Sequence, residues 1–284
     1  MVKDLKSQLD YKLNRSKYEF YPVFLIGCGR SGTTILGETL GKHSDISYLN
    51  ERRDLWHQAY PEFDIWSDNV ENPKLIAEKK DHINAKTDLL QFLFHKEQVK
   101  DRCKVLLEKL PINNFRLEFL NEAFPDAKYI YLHRNGLEVA TSIEKLANAG
   151  NWYGENSSKW KLLNDLIKNN EEFQDFKLDN FEKGLLEWRF SLERSEMFFE
   201  SSNPANLHRL SYKSFIDNPE FQLKMIFDFL ELDLDVKELK MMAESINRKS
   251  KIIHEITDKE RLLGGVNLEL SVKDELRVSY NNPE

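Results

Sequence analysis

The sequence predicts a P-loop-like, three-layer α/β fold, with a central parallel sheet flanked by helices. Two observations carry that expectation. Short apolar runs rich in β-branched and aromatic residues alternate with segments of helical spacing, and the glycine-punctuated loop GCGRSGTT, residues 27–34, stands between the first run and the first helix.

The elements follow in chain order. YPVFLIG (21–27) is short, apolar and ends at a glycine, as a strand buried on both faces does. After the loop, TTILGETLGK (33–42) places Ile35, Leu36 and Leu40 on one helical face and stops near Gly41. ISYL (46–49) reads as a strand. Residues 51–101 have no clear period and are read as loops and helices over the site. CKVLLEKL (103–110) is the next strand, NNFRLEFLNEAF (113–124) a helix, KYIYLHR (128–134) a strand and GLEVATSIEKL (136–146) a helix. LHRLSY (207–212) supplies a further strand, and residues 181–200 and 221–230 have helical spacing.

The 284 residues suit one or two domains, and the motif order favours one, spanning 20–265 between an N-terminal extension (1–19) and a polar C-terminal tail (266–284). A net charge of −7 excludes a general basic field for nucleic acid, so an anionic ligand needs a local basic pocket. Two cysteines are too few for a disulfide framework and no His/Cys spacing suits a metal, which leads to an expectation of a reducing, cytoplasmic setting without a metal. The polar N-terminus lacks the apolar stretch of a secretory leader, and the longest apolar run, seven residues, falls short of the ~20 that span a membrane.

GCGRSGTT keeps the Gly-x-x-x-x-Gly spacing of a nucleotide phosphate loop, but Thr33 stands where an NTPase has its lysine. Loop amides leading into a helix N-terminus, with Ser31, Thr33 and Thr34 as hydroxyl donors and Arg30 as the nearby cation, suit a terminal phosphate held without a metal. A ligand-free glycine turn is the alternative at this point.

With these residues, the sequence resembles the sulfotransferases that use 3′-phosphoadenosine 5′-phosphosulfate (PAPS). The family's 5′-phosphosulfate loop, K/R-S-G-T-T after a buried strand, is matched by Arg30, Ser31, Gly32, Thr33 and Thr34. Its 3′-phosphate pair, an Arg at a strand end and a Ser eight residues later, is matched by Arg134 and Ser142 in HRNGLEVATS. Arg at a strand end and Ser on the next helix can converge on one anion, the guanidinium offering a fork of donors. A weaker match, RLSYKSFIDNPE (209–220), implies that Tyr212 touches the nucleotide; a core tyrosine at a strand end is the other reading. The resemblance implies PAPS as donor, 3′,5′-ADP as product and no metal.

Sulfuryl transfer needs a cation at the leaving phosphate oxygen and a base for the acceptor proton. Arg30 is the natural cation. The cytosolic aryl and steroid branch uses a histidine in K-T-H-L-P, whereas LEKLP here has Lys109 and no histidine. The tyrosylprotein, carbohydrate and bacterial branches use a glutamate about twenty residues after the loop serine, which implies Glu51 in LNERRD, with Arg53 binding the acceptor or orienting it. A solvated Glu51 paired with Arg52 or Arg53 is the alternative. Lys109 either supports the bridging oxygen or pairs with Glu108 at the surface, and His57 is a reserve base or acceptor contact.

NRKSK (247–251) faintly resembles the family's basic 3′-phosphate segment, implying Arg248 and Lys249 as ligands, although Ser250 replaces the expected glycine. The expected acceptor is a carbohydrate, a lipid-linked sugar or a natural-product hydroxyl, with the aromatics of 55–66, Trp152 and Tyr153 as sugar platforms or an apolar lining. A small-molecule kinase of P-loop type, and a non-catalytic nucleotide- or anion-binding protein, are the rival readings. Oligomeric state leaves no trace in the sequence.

Overall fold

The computed structural model describes residues 9–67, 69–153, 158–168, 177–201, 206–246, 256–265 and 268. Five strands, β1 (Pro22–Ile26), β2 (Ile46–Asn50), β3 (Val105–Lys109), β4 (Lys128–His133) and β5 (Leu207–Ser211), pair in parallel in the order β2-β3-β1-β4-β5. Parallel neighbours need crossovers that cover both faces, so the central strands β1, β3 and β4 are buried on each side, while the edge strands β2 and β5 are partly exposed. Every residue of β1 is buried.

Alternation along the strands sorts the core into two layers. Val23, Leu25, Leu107, Ile130 and Leu132 face one side, against Leu36 and Leu40 of α1 (Thr33–Leu40) and Leu223 and Phe227 of the helix Pro219–Leu230. Phe24, Ile26, Leu106, Tyr129 and Tyr131 face the other. There they meet α2 (Arg53–Ala59), α3 (Asn84–Asp101), α4 (Leu117–Ala123), α5 (Gly136–Asn148) and, beyond α6 (Ser158–Lys168), α7 (Asn180–Ser201) through Trp56, Phe94, Leu120, Val139, Leu163 and Trp188. The same alternation separates two adjacent ionisable residues of β3. Glu108 points to the α2 layer, whereas Lys109 reaches Thr34 at the start of α1.

The structure corrects several expectations. The helix expected over 113–124 is broken: a 3-10 turn covers Pro111–Phe115 and α4 begins only at Leu117, because Arg116 turns inward to donate to the carbonyls of Phe63 (2.6 Å) and Lys74 (3.0 Å). The 51–101 stretch, read as loops and helices, does contain helices, among them the 18-residue α3, whose period was masked by exposed Leu89 and Phe92 beside buried Leu90 and Phe94. The β5 strand stops at Ser211, which caps the next helix by accepting from Ser214 N, so Tyr212 opens α8 (Tyr212–Asp217) rather than ending a strand. Pro219–Leu230 and Val236–Glu244 follow as α9 and α10. Glu108 and Lys109 do not pair at the surface; both are buried, on opposite faces.

Candidate active site

The C-terminal ends of β1, β2, β3 and β4 gather the chemistry-bearing side chains, on the edge where open α/β sheets bind ligands. After β1, Gly27 N donates to Asn114 Oδ1 (3.1 Å) and Ser31 N to Cys28 O (3.0 Å), which folds the loop back on itself. Two residues take left-handed backbone: Arg30 (φ 73°) and Gly32 (φ 99°). A Cβ at Gly32 would also lie 2.5 Å from the Tyr212 ring, so conformation and space both exclude a side chain there. Helix α1 then starts at Thr33, and its first-turn amides have no intrahelical acceptors.

Beside that turn lies a cleft of about 520 Å³, lined by Arg30, Gly32, Thr33, Thr34, Ile35, Arg134, Glu138, Thr141, Ser142, Lys145, Leu146 and Tyr212. Its two arginines are tied to each other's segment. Arg30 Nε donates to Ser142 Oγ (3.1 Å), and Arg134 Nη1 donates to the carbonyl of Arg30 (3.0 Å). The Arg134 guanidinium stacks over the Tyr212 ring at 4.2 Å and its Nε donates to Glu138 Oε2 at 2.8 Å. Three cations and one carboxylate therefore face one space large enough for a nucleotide.

Next to the loop, Lys109 Nζ donates to Thr34 Oγ1 (3.1 Å) and to Glu51 Oε1 (2.7 Å). Asn50 and Lys109 are register partners in the sheet, and Glu51, left-handed at φ 52°, turns its carboxylate back toward the lysine. Its other oxygen accepts from Arg53 Nη2 (3.1 Å), whose guanidinium stacks 3.9 Å over Trp66. Burial works against the Glu51 charge, but the hydrogen bond and positive charge of Lys109, with Arg53, outweigh it and hold the carboxyl below its usual range. Glu51 is thus ionised at neutral pH, as a proton acceptor must be. Arg52 is not its partner, since it pairs with Asp54 and Glu97.

The remaining sequence candidates are placed differently. Ser31 is buried beside Cys28, Asn114, Tyr131, Trp188 and Arg134, and its side chain does not line the cleft. His57, one turn along α2 from Arg53, pairs with Asp64 (3.3 Å). Trp56, Tyr60 and Phe63, read as acceptor platforms, are fully buried core residues. Trp152 and Tyr153 donate to Glu187 (3.0 and 3.1 Å), and Lys159 donates to its other oxygen. Trp152 lies against the phosphate loop, 2.6 Å from where a Cβ of Gly29 would stand. Arg248 and Lys249 lie outside the described residues. Sequence reasoning missed Glu138, Thr141 and Lys145 of α5, for which the i, i+4 spacing of Glu138 from Arg134 was the one available signal, while Trp66, one of the 55–66 aromatics, stacks under Arg53.

Among the described residues no group of His, Cys, Asp and Glu is arranged to hold a metal, and no helix is long and apolar enough to cross a membrane. The family model described as "Sulfotransferase family" matches residues 22–236, which includes every strand and both arginine-bearing segments. The chain belongs to the sulfotransferase family. That membership sets aside the small-molecule kinase. Over 226 residues it is 22% identical to protein-tyrosine sulfotransferase A of Caenorhabditis elegans, covering 76% of this chain and 51% of that one. An uncharacterized protein of Aquifex aeolicus (strain VF5) is 24% identical over 222 residues, 74% of this chain and 25% of that one. The sulfotransferase domain thus spans about half the length, or less, of these curated relatives. Among solved structures, the sulfotransferase domain from the curacin biosynthetic pathway superposes with a TM-score of 0.53 at 18% identity, covering 88% of this chain and 82% of that one, a likeness of fold.

Proposed function

We propose that the protein transfers a sulfuryl group from PAPS to an acceptor hydroxyl, without a metal. The observation that carries this reading is the joining of the two arginine segments across one cleft: Arg30 on Ser142, Arg134 on the Arg30 carbonyl. Cations from both segments lining one cleft suit a nucleotide with phosphate at both its 3′ and 5′ positions. The α1 N-terminus, Gly32, Thr33 and Thr34 hold the 5′ end as a P-loop does, while Arg134 and Ser142 hold the 3′-phosphate against Tyr212.

PAPS supplies the sulfuryl group and leaves as 3′,5′-ADP. Glu51 takes the proton of the acceptor hydroxyl as its oxygen attacks. Lys109, already between Thr34 and Glu51, turns toward the phosphate oxygen on which charge develops, and Arg30 assists it. As Lys109 gives up its hold on Glu51, the carboxylate becomes more basic, which couples proton removal to bond breaking. Arg53 keeps the second carboxylate oxygen aimed. Half-exposed Arg53 and His57 on one face of α2 support a polar acceptor, in the order carbohydrate, glycolipid, natural product. A tyrosyl hydroxyl, named for the nematode relative, is the comparison substrate. Two free, buried thiols, Cys28 and Cys103, support a reducing, cytoplasmic setting.

The test is calorimetric titration of 3′,5′-ADP without metal into wild type and Arg134→Ala. Micromolar binding abolished by the substitution is expected. No binding by the wild type sinks the reading, and binding without transfer to any acceptor leaves a non-catalytic nucleotide-binding protein.

A further inference from the structure

A cleft that is to hold a ligand with two phosphates carries a carboxylate in its own wall. Glu138 lies one turn after Arg134 on α5, its side chain only 11% exposed, and takes the Arg134 Nε at 2.8 Å. Aiming the guanidinium does not require it. Arg134 is already held by the Arg30 carbonyl at Nη1 and by the Tyr212 ring beneath its plane. What Glu138 adds is negative charge, set against Arg30, Arg134 and Lys145 in the same wall.

In a partly enclosed cleft a carboxylate at this range weakens the pull of its arginine on any second anion, because charges there are screened less than in open water. Turnover requires the bisphosphate product to leave, and losing a tight product is often the slow step of an enzyme. We propose that Glu138 is a release residue: by sharing Arg134 with the 3′-phosphate, it sets how fast 3′,5′-ADP dissociates. This rests on the reading that Arg134 takes the 3′-phosphate.

The experiment compares wild type, Glu138→Gln and Glu138→Ala by calorimetry and by displacement kinetics, with 3′,5′-ADP and with 5′-AMP as probes. Glutamine keeps an acceptor for Arg134 Nε and loses only the charge; alanine loses both. Both variants are expected to bind 3′,5′-ADP about tenfold more tightly, chiefly through slower dissociation. Binding of 5′-AMP, which lacks the 3′-phosphate, should be unchanged within about twofold. Unchanged or weaker 3′,5′-ADP binding in Glu138→Gln overturns the proposal, as does equal tightening for both nucleotides. Weaker binding in Glu138→Ala alone assigns Glu138 to aiming Arg134 and also overturns it. Failure of the wild type to bind 3′,5′-ADP at all is the separate outcome that removes the nucleotide reading itself.

Discussion

Two lysine–glutamate pairs flank the phosphate loop, and they are built for different ends. Lys109 and Glu51 meet at 2.7 Å beside Thr34, with the lysine buried and the carboxylate 32% exposed. Lys159 and Glu187 meet behind the loop with both side chains under 10% exposed. The second carboxylate is saturated by Lys159, Trp152 and Tyr153, and the ammonium lies 4.0 Å over the Trp152 ring that backs Gly29. One pair has an open side and a neighbour to exchange; the other has none. The same two residue types serve chemistry where a partner can be traded and rigidity where every bond is spoken for.

Removing the charge at each pair gives the sharpest contrast. Glu51→Gln should lower single-turnover transfer from PAPS about 1,000-fold while leaving 3′,5′-ADP affinity intact. Lys159→Met should do the reverse. By stranding Glu187 in the interior it should cost about 4 kcal/mol in chemical denaturation, with transfer by the remaining folded protein little changed. A collapse of activity without loss of stability in Lys159→Met would break the comparison.

A third carboxylate sharpens it further. Glu108 is buried under Trp56 Nε1 (2.9 Å) and Asn113 Nδ2 (2.9 Å), and burial pushes it from 4.5 up to about 7, against the pull of those donors, Lys109 and Arg116. The folded state then holds a proton that the unfolded chain releases above 4.5, so this group's contribution falls as pH rises through that window. Glu108→Gln should gain about 3 kcal/mol relative to wild type between pH of about 4.5 and about 7.5, read from denaturation midpoints. A flat difference removes Glu108 as the source. Smallest is Trp66→Leu, which frees Arg53 from its stack and should slow transfer about fivefold. Because Arg53 helps hold Glu51 low, the acid limb of the rate profile should move to higher pH, and Trp66→Phe should restore it.

The central strands were legible because a parallel sheet buried on both faces writes itself as short apolar runs, as at Pro22–Ile26 and Val105–Leu107. Local pattern could not show the break at Arg116, whose acceptors come from residues 63 and 74. Nor could it tell Trp56, Tyr60 and Phe63 from ligand platforms, since only the packing of α2, α3 and α4 decides that they face inward. Arg30, Arg134 and Ser142 were readable as a motif. That they bond to each other, and that Glu138 and Lys145 share their wall, depends on α5 lying beside the loop after β1, a tertiary contact that local pattern does not carry.

The bonds from Arg30 to Ser142 and from Arg134 to the Arg30 carbonyl close a ring between two segments far apart in sequence. A ring of this kind behaves as a calliper with its screw tightened, for neither jaw opens without breaking a bond to the other. On the proposed reading, a nucleotide whose second phosphate sits at the 2′ rather than the 3′ position is expected to bind more weakly, because the loop that carries Arg30 sets where Arg134 and Ser142 stand.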